Sequence, residues 1–226
     1  MKAVIRAFTI PKRTRAAIVV LLVSISAQVS SAVAKAPSLV GLMLPGNVEI
    51  AVPSDWNYFD PQIGSAIANA TKAEIDLRSI QPQDPMSSDA IIRANSPLDG
   101  GYASLSLKFF SEPTDLGAVR YALNGDDHLK EIADYQEQLA RKKLSADQRF
   151  IEQVALEPIT LQGDLPAFAF IYRRQGLGGP VRVEILAAFR SDGYAVLTLA
   201  YRESEASRWA PLIKSIRQSL SINARE

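Results

Sequence analysis

The sequence predicts an α+β fold: a mainly antiparallel sheet flanked by helices, with a C-terminal amphipathic helix packed on the sheet. Three observations lead there. The last third alternates apolar and polar residues in runs broken by tight glycine turns, the period-two pattern of half-buried strands. Two longer stretches carry apolar residues at helical spacing. Neither an internal repeat nor a low-complexity tract competes with a single globular domain.

The chain has 226 residues, and its first 34 read as an address rather than as fold. Arg13 and Arg15 close a basic region, Ala16 to Val23 is apolar, and small residues end at Ser31-Ala32-Val33-Ala34. Ala32 and Ala34 suit the −3 and −1 pockets of a signal peptidase, so cleavage is expected before Lys35. The apolar run is shorter than the ~20 residues that span a bilayer, and no second run follows it, so no transmembrane span is expected after processing. No Cys is present for lipid attachment. A periplasmic protein is the simplest expectation, with secretion as the alternative.

Ala36 to Asn47, with two Pro and two Gly, reads as an arm, so 35–47 is expected to be a linker before one domain over 48–222. Val48 to Val52 alternates as a strand and Pro53 to Trp56 turns the chain. Glu74 to Ile80 alternates again, Gln81 to Ser88 reads as a Pro-rich loop, Ile91-Ile92 begins a short strand, and Asn95 to Gly101 turns. In Tyr102 to Phe110, Ala103, Leu105, Leu107 and Phe109 share one face. Asp115 to Leu123 is a short helix ended by Asn124-Gly125. Asp126 to Lys143 is a longer one, with acids at its start and Arg141, Lys142 and Lys143 at its end, as the helix dipole favours.

Phe150 to Leu156 and Ile159 to Leu161 read as two short strands around Pro158. Ala167 to Arg174 places Phe168, Phe170 and Tyr172 on one face. Gly176 to Pro180 is a loop, and Val181 to Arg190 alternates through Val183, Ile185, Ala187 and Phe189. Ser191-Asp192-Gly193 is a tight hairpin loop in which glycine supplies a positive φ. Tyr194 to Arg202 returns, with Leu197, Leu199 and Tyr201 together. The closing helix runs from about Glu205 to Leu220, capped by Ser204 or Ser207, with Trp209, Leu212, Ile213, Ile216 and Leu220 in one stripe. Pro211 falls in its first turn if Ser207 is the cap.

Composition excludes several functions. Without Cys there is no thiol nucleophile, disulfide scaffold or thiolate zinc site, and one His excludes a multi-histidine metal centre. Loss of the five basic residues in 1–34 leaves 20 basic against 24 acidic residues, a formal charge of −4. That balance argues against a nucleic-acid partner.

The remaining constellations each have a plainer reading beside the chemical one. His128 beside Asp126 and Asp127 marks a helix start, because adjacent helical residues point apart. No Gly-x-Ser-x-Gly elbow surrounds any Ser. Gly176 to Pro180 joins strands instead of opening a helix, so it is no phosphate cradle. Arg173-Arg174 is a solvated strand end or a site for an acidic partner. Trp56, Tyr58 and Phe59 are core packing or, if exposed, a partner patch. Glu203 and Glu205 read as helix N-terminal charges and lack the look of a glycosidase couple. No catalytic residue, metal ligand or cofactor is assigned.

Four pieces, in order, carry a family resemblance: Val48-Glu49-Ile50-Ala51-Val52-Pro53-Ser54-Asp55-Trp56, Gly163-Asp164-Leu165-Pro166-Ala167, Gly193-Tyr194-Ala195-Val196-Leu197-Thr198, and Trp209-Ala210-Pro211 leading to Ile216-Arg217-Gln218-Ser219-Leu220. Over roughly 48–220 the chain resembles the PsbP-like family, which includes PsbP and the DcrB-type envelope proteins. The resemblance implies an antiparallel sheet flanked by helices and a non-catalytic accessory role exercised by binding other proteins. The family shares no universal catalytic residues, so none is carried over. The leading functional expectation is an accessory or binding protein whose partner is another envelope or secreted protein. The alternatives are a small-ligand or lipid carrier, which needs an apolar cavity between sheet and helices, and a carboxylate-dependent hydrolase, which needs two converging acids.

Overall fold

The computed structural model describes residues 38–69, 74–77, 90–145 and 147–223. The chain divides into two units, Met1–Lys35 and Ala36–Glu226. The expected signal peptide with Ala32 and Ala34 lies outside the described residues, as does the expected loop over 81–88.

The expected linker contains the first strand. Leu39–Leu44 (β1) pairs antiparallel with Val48–Pro53 (β2). Val40, Leu42 and Leu44 are buried, while Gly41 falls on the outer face of the alternation and so leaves the strand intact. Of the Pro and Gly content that reads as an arm, Gly41 takes that outer position and Pro45 and Gly46 the Pro45-Gly46-Asn47 turn, while Pro37 lies outside the described residues.

Asn57–Tyr58 (β3) leads into a helix that periodicity does not announce, Pro61–Ala68 (α1). The Asp60 carboxylate caps it, accepting from Gln62 N at 2.8 Å and Ile63 N at 3.1 Å, and Pro61 occupies the first position, where a missing N–H is harmless. Glu74–Asp76 (β4) runs parallel to β1, the sole parallel pairing among the described strands. Ala90–Asn95 (β5) and Ala103–Phe110 (β6) follow. Two helices come next, Leu116–Asn124 (α2) and Asp126–Lys143 (α3).

Four long strands then form a meander: Phe150–Leu161 (β7), Leu165–Gly176 (β8), Gly179–Arg190 (β9) and Gly193–Arg202 (β10). β7 is one strand, where the sequence reads as two. It sits at the sheet edge, where Pro158 is tolerated, and carries two register shifts that blunt the edge against further pairing. The expected Gly176–Pro180 loop shrinks to Leu177-Gly178, because Gln175 pairs with Pro180 and Gly176 with Gly179. Gly193 pairs with Arg190 and is not at positive φ. Glycine is needed there for a different reason: a Cβ would stand 2.4 Å from the Phe110 carbonyl oxygen of β6.

The last helix, Ala206–Ser219 (α4), follows a 3-10 turn over Glu203–Glu205, and neither Ser204 nor Ser207 caps it. Pro211 therefore lies in the second turn, not the first. The stripe still buries Trp209, Ile213, Ile216 and Leu220, each apolar side chain stabilising the fold by about 1.5–3 kcal/mol on burial. Ser221–Ile222 (β11) closes the chain on β2.

The described strands form two sheets, where the sequence reading describes one. Seven antiparallel strands run in the order β3-β5-β6-β10-β9-β8-β7, and a smaller sheet runs β11-β2-β1-β4. One core gathers the smaller sheet, α1 and α4 against one face of the large sheet. A second core, with Leu123, Ala140, Phe168, Phe170, Tyr172 and Val183, lies on its other face under α2 and α3. The α+β fold, with a C-terminal helix packed on β2 and β10, is present.

Candidate functional site: an apolar slot beneath the helix pair

Two anchors set α2 over the sheet. Asp115 caps it, accepting from Gly117 N at 2.9 Å and Ala118 N at 3.1 Å. Arg120 then reaches the β7–β8 turn, its Nη2 donating to the Asp164 carbonyl at 2.8 Å and to its carboxylate at 3.2 Å. α3 is held at its far end by Arg141, whose guanidinium lies 4.2 Å over the Phe150 ring and 2.7 Å from Glu137. Between these anchors the helices stand off the sheet and leave a slot of about 330 Å³.

Val119, Ala122, Leu123 and Ile132 form the slot's walls, and Phe168 and Phe189 its floor. Glu131, Tyr135 and Gln136 supply the polar lining. The floor continues outward as a row of rings. Phe168 and Phe189 are 6.0 Å apart, Phe189 and Tyr194 5.9 Å, and Tyr194 and Phe110 stack at 4.7 Å. Burial, with Glu112 nearby, raises the Tyr194 phenol above its ordinary range, so the row is uncharged.

The residues singled out from the sequence lie elsewhere. Trp56 is only 5% exposed and meets Trp209 edge to face at 5.9 Å, so it packs the core and offers no partner surface. Tyr58 is half-buried and donates its hydroxyl to the Pro53 carbonyl at 2.5 Å; burial, then the Asp55 charge, pushes its phenol upward. Only Phe59 of that aromatic trio is exposed, with Arg93 stacked 5.1 Å from its ring. Arg173 is engaged within the fold: Nε and Nη2 grip Glu203 at 2.8 and 2.7 Å, and Nη1 meets Glu152 at 2.6 Å. Those hydrogen bonds raise the Arg173 pKa further. Arg174 donates to the Tyr102 hydroxyl at 3.2 Å.

Glu203 and Glu205 do not converge as a couple, because each is held by its own arginine. Glu205 accepts from Tyr102 N at 2.7 Å, from Trp209 Nε1 at 2.9 Å and from Arg202. Burial works against its charge, yet those three donors prevail and hold its carboxyl below the usual range. Gly101 makes the arrangement possible: its φ is +86°, and a Cβ there would lie 2.1 Å from the Glu205 carboxylate. His128 is on the surface, its side chain 40% exposed, with Nδ1 3.7 Å from Glu131 and its ring 5.1 Å from Tyr121. Among the described residues no group of three His, Cys, Asp or Glu could hold a metal ion.

Sequence reasoning does not find the slot, though a signal exists. The inner stripe of α3 runs through Ile132 and Ala133 to Leu139 and Ala140, and the position between them is the polar Gln136. Opposite it, α2 presents the short Ala122. A polar residue and a methyl group where two large apolar residues would close the layer mark an opening.

No protein-family model matches the chain, and no curated protein matches it. Solved structures do resemble it. Cyanobacterial PsbP (CyanoP) from Synechocystis sp. PCC 6803 superposes with a TM-score of 0.51 at 10% identity, covering 79% of this chain and 88% of that one. LpqN, involved in cell envelope biogenesis of Mycobacterium tuberculosis, gives 0.44 at 14% identity, over 79% and 84% of the two chains. A Pseudomonas aeruginosa protein of unknown function, PA94, gives 0.42 at 17%, over 65% and 92%. At such identities the likeness concerns the fold, and the fold of this chain is the PsbP-like one.

Proposed function

We propose that the protein is an exported, periplasmic accessory protein without catalysis, which acts by binding another envelope or secreted protein. The observation that carries this reading is the fate of the charged groups best placed to do chemistry. Glu203 and Glu205 are each locked to an arginine, and His128 faces solvent beside Glu131. A general acid must hold a proton near working pH, whereas Glu205 is held ionised. The order of basic, apolar and small residues up to Ala34 supports export. No helix among the described residues is long and apolar enough to cross a membrane.

Contact surfaces are available at two turns. Leu177, at the β8–β9 hairpin tip, is 94% exposed, and its carbonyl is fixed by Arg202 at 3.2 Å. Leu98, on the 3-10 turn Leu98–Gly100, is 99% exposed. Cross-linked affinity capture from an envelope extract, with Leu98→Ser/Leu177→Ser as the paired control, tests the reading. A partner recovered reproducibly with the wild-type protein and lost with the double variant is the expected result. Turnover in a substrate screen, with no partner captured, reverses it. A second reading, a carrier of a small apolar ligand, is favoured by the slot under α2 and α3.

A further inference from the structure

We infer that the slot between α2, α3 and the large sheet binds a small apolar molecule that carries no negative charge. This goes beyond the accessory reading, and each can fail without the other. The slot's volume of about 330 Å³ sits at the lower end of the range of roughly 300–1,000 Å³ usual for small-molecule sites. Its walls and floor present carbon: methyl groups of Val119, Leu123 and Ile132, and the rings of Phe168 and Phe189. Water there meets few polar partners, so an apolar occupant gains by displacing it.

The charge of the occupant follows from the lining. Among the described residues, its sole carboxylate is Glu131, and no Lys or Arg lines it. Arg120, on the same helix as Val119, is turned to Asp164 in the neighbouring groove. A carboxylate or phosphate head group would therefore meet the like charge of Glu131 at the mouth, screened there by water and by His128 at 3.7 Å, and no Lys or Arg among the described lining residues. A neutral head meets no penalty, and a cationic one gains both from Glu131 and from the aromatic floor. Fatty-acid anions and anionic lipids are thereby disfavoured, and neutral or cationic amphiphiles are favoured.

The test is a fluorescence titration of the exported protein with N-phenyl-1-naphthylamine, an uncharged probe that brightens in apolar surroundings. Saturable 1:1 binding is expected. Ala122→Trp, which fills the slot from its shortest wall, should weaken binding at least about tenfold, while Lys214→Ser, at an exposed position of α4 on the other face of the sheet, should leave it unchanged. Thermal melting checks that the Trp variant is folded. Independently of any variant, methyl NMR of the wild-type protein should show probe-induced shifts centred on Val119, Leu123 and Ile132. Dodecyltrimethylammonium should displace the probe at least about tenfold more effectively than dodecanoate, and Glu131→Lys should narrow or invert that preference. The inference is overturned by the absence of saturable binding, by shifts lying outside the slot, by undiminished binding in a folded Ala122→Trp, or by dodecanoate competing equally. Absence of saturable binding would leave a partner's apolar side chain as the slot's occupant. Turnover in the substrate screen would sink the accessory reading and leave this titration untouched.

Discussion

Arg190 is the buried charge on which one end of the molecule depends, and replacing it by Met gives a quantitative test. The side chain is 5% exposed. Its Nη1 donates to the Gly46 carbonyl of the β1–β2 turn at 2.9 Å and to the Asn223 carbonyl beyond β11, while Nε and Nη2 engage Asp192 in the β9–β10 turn. One guanidinium thus joins the small sheet, the large sheet and the C-terminal segment. Met keeps much of the apolar stem and removes every donor. Two carbonyls lose a charged donor, at about 1–3 kcal/mol each. Asp192 is 37% exposed, so water softens the loss at the carboxylate. The total, about 3–5 kcal/mol, matches the range for breaking a buried ion pair. With a urea m-value of about 1–3 kcal/mol/M, the unfolding midpoint should fall by about 1–5 M at unchanged m. Arg190→Lys, keeping charge but not the fork, should recover part of the loss. Hydrogen exchange at Asn223, whose amide donates to the Asn47 carbonyl at 2.9 Å, should accelerate in the Met variant. A variant within about 1 kcal/mol of wild type, or an Asn223 amide as protected as before, refutes the assignment of this end of the fold to Arg190.

Three other outcomes are expected. Glu205→Gln should destabilise the protein at neutral pH by about 1–3 kcal/mol through its weakened hydrogen bonds. Because the folded pKa of Glu205 is depressed, its stabilisation is full above the unfolded value of about 4.3 and vanishes as pH falls through the folded pKa. Wild type and variant should therefore converge in acid urea melts, and a constant gap would contradict the linkage. Asp60→Ala removes the acceptor for Gln62 N and Ile63 N and should cost about 0.5–2 kcal/mol, read as a lowered urea midpoint; no change would argue against the cap. N-terminal sequencing of the exported protein should start at Lys35, and an intact Met1 would refute processing.

The parts of the fold legible from sequence are those where local pattern and burial agree. Tyr102 to Phe110 alternates cleanly because one face of β6 lies on the core, and α3 announces itself through acids at its start, bases at its end and an apolar stripe between. Elements that long-range contacts decide were not legible. β1 hides because Gly41 and Pro45 look like linker residues until the strand has a partner. α1 is eight residues long with two buried isoleucines, too short to show a period, and its one local signal is Asp60-Pro61. Arg173 and Arg174 looked like a free basic pair because their partners, Glu203, Glu152 and Tyr102, are 21 to 72 positions distant in the chain. The slot was illegible because it is a misfit between two layers, which no single segment encodes.

That misfit has a cause in the alternation of the strands. Ala167 pairs with Ala188, and Ala188 with Ala195, placing three fully buried alanines in a row across β8, β9 and β10. They belong to the core beneath the small sheet and α4, where small side chains admit a close second layer. Each alanine has an aromatic neighbour in the chain that points to the opposite face: Phe168, Phe189 and Tyr194. The same register that makes one face flat therefore makes the other tall. Helices seated over tall rings meet the sheet at the ring edges and stand away between them, and short inner residues such as Ala122 cannot reach down to close the gap. A one-residue slip in β9 would bring Phe189 onto the alanine face and Ala188 under the helices. The close packing on one side and the slot on the other are thus two consequences of one register, and a substitution that fills the slot need not disturb the core behind it.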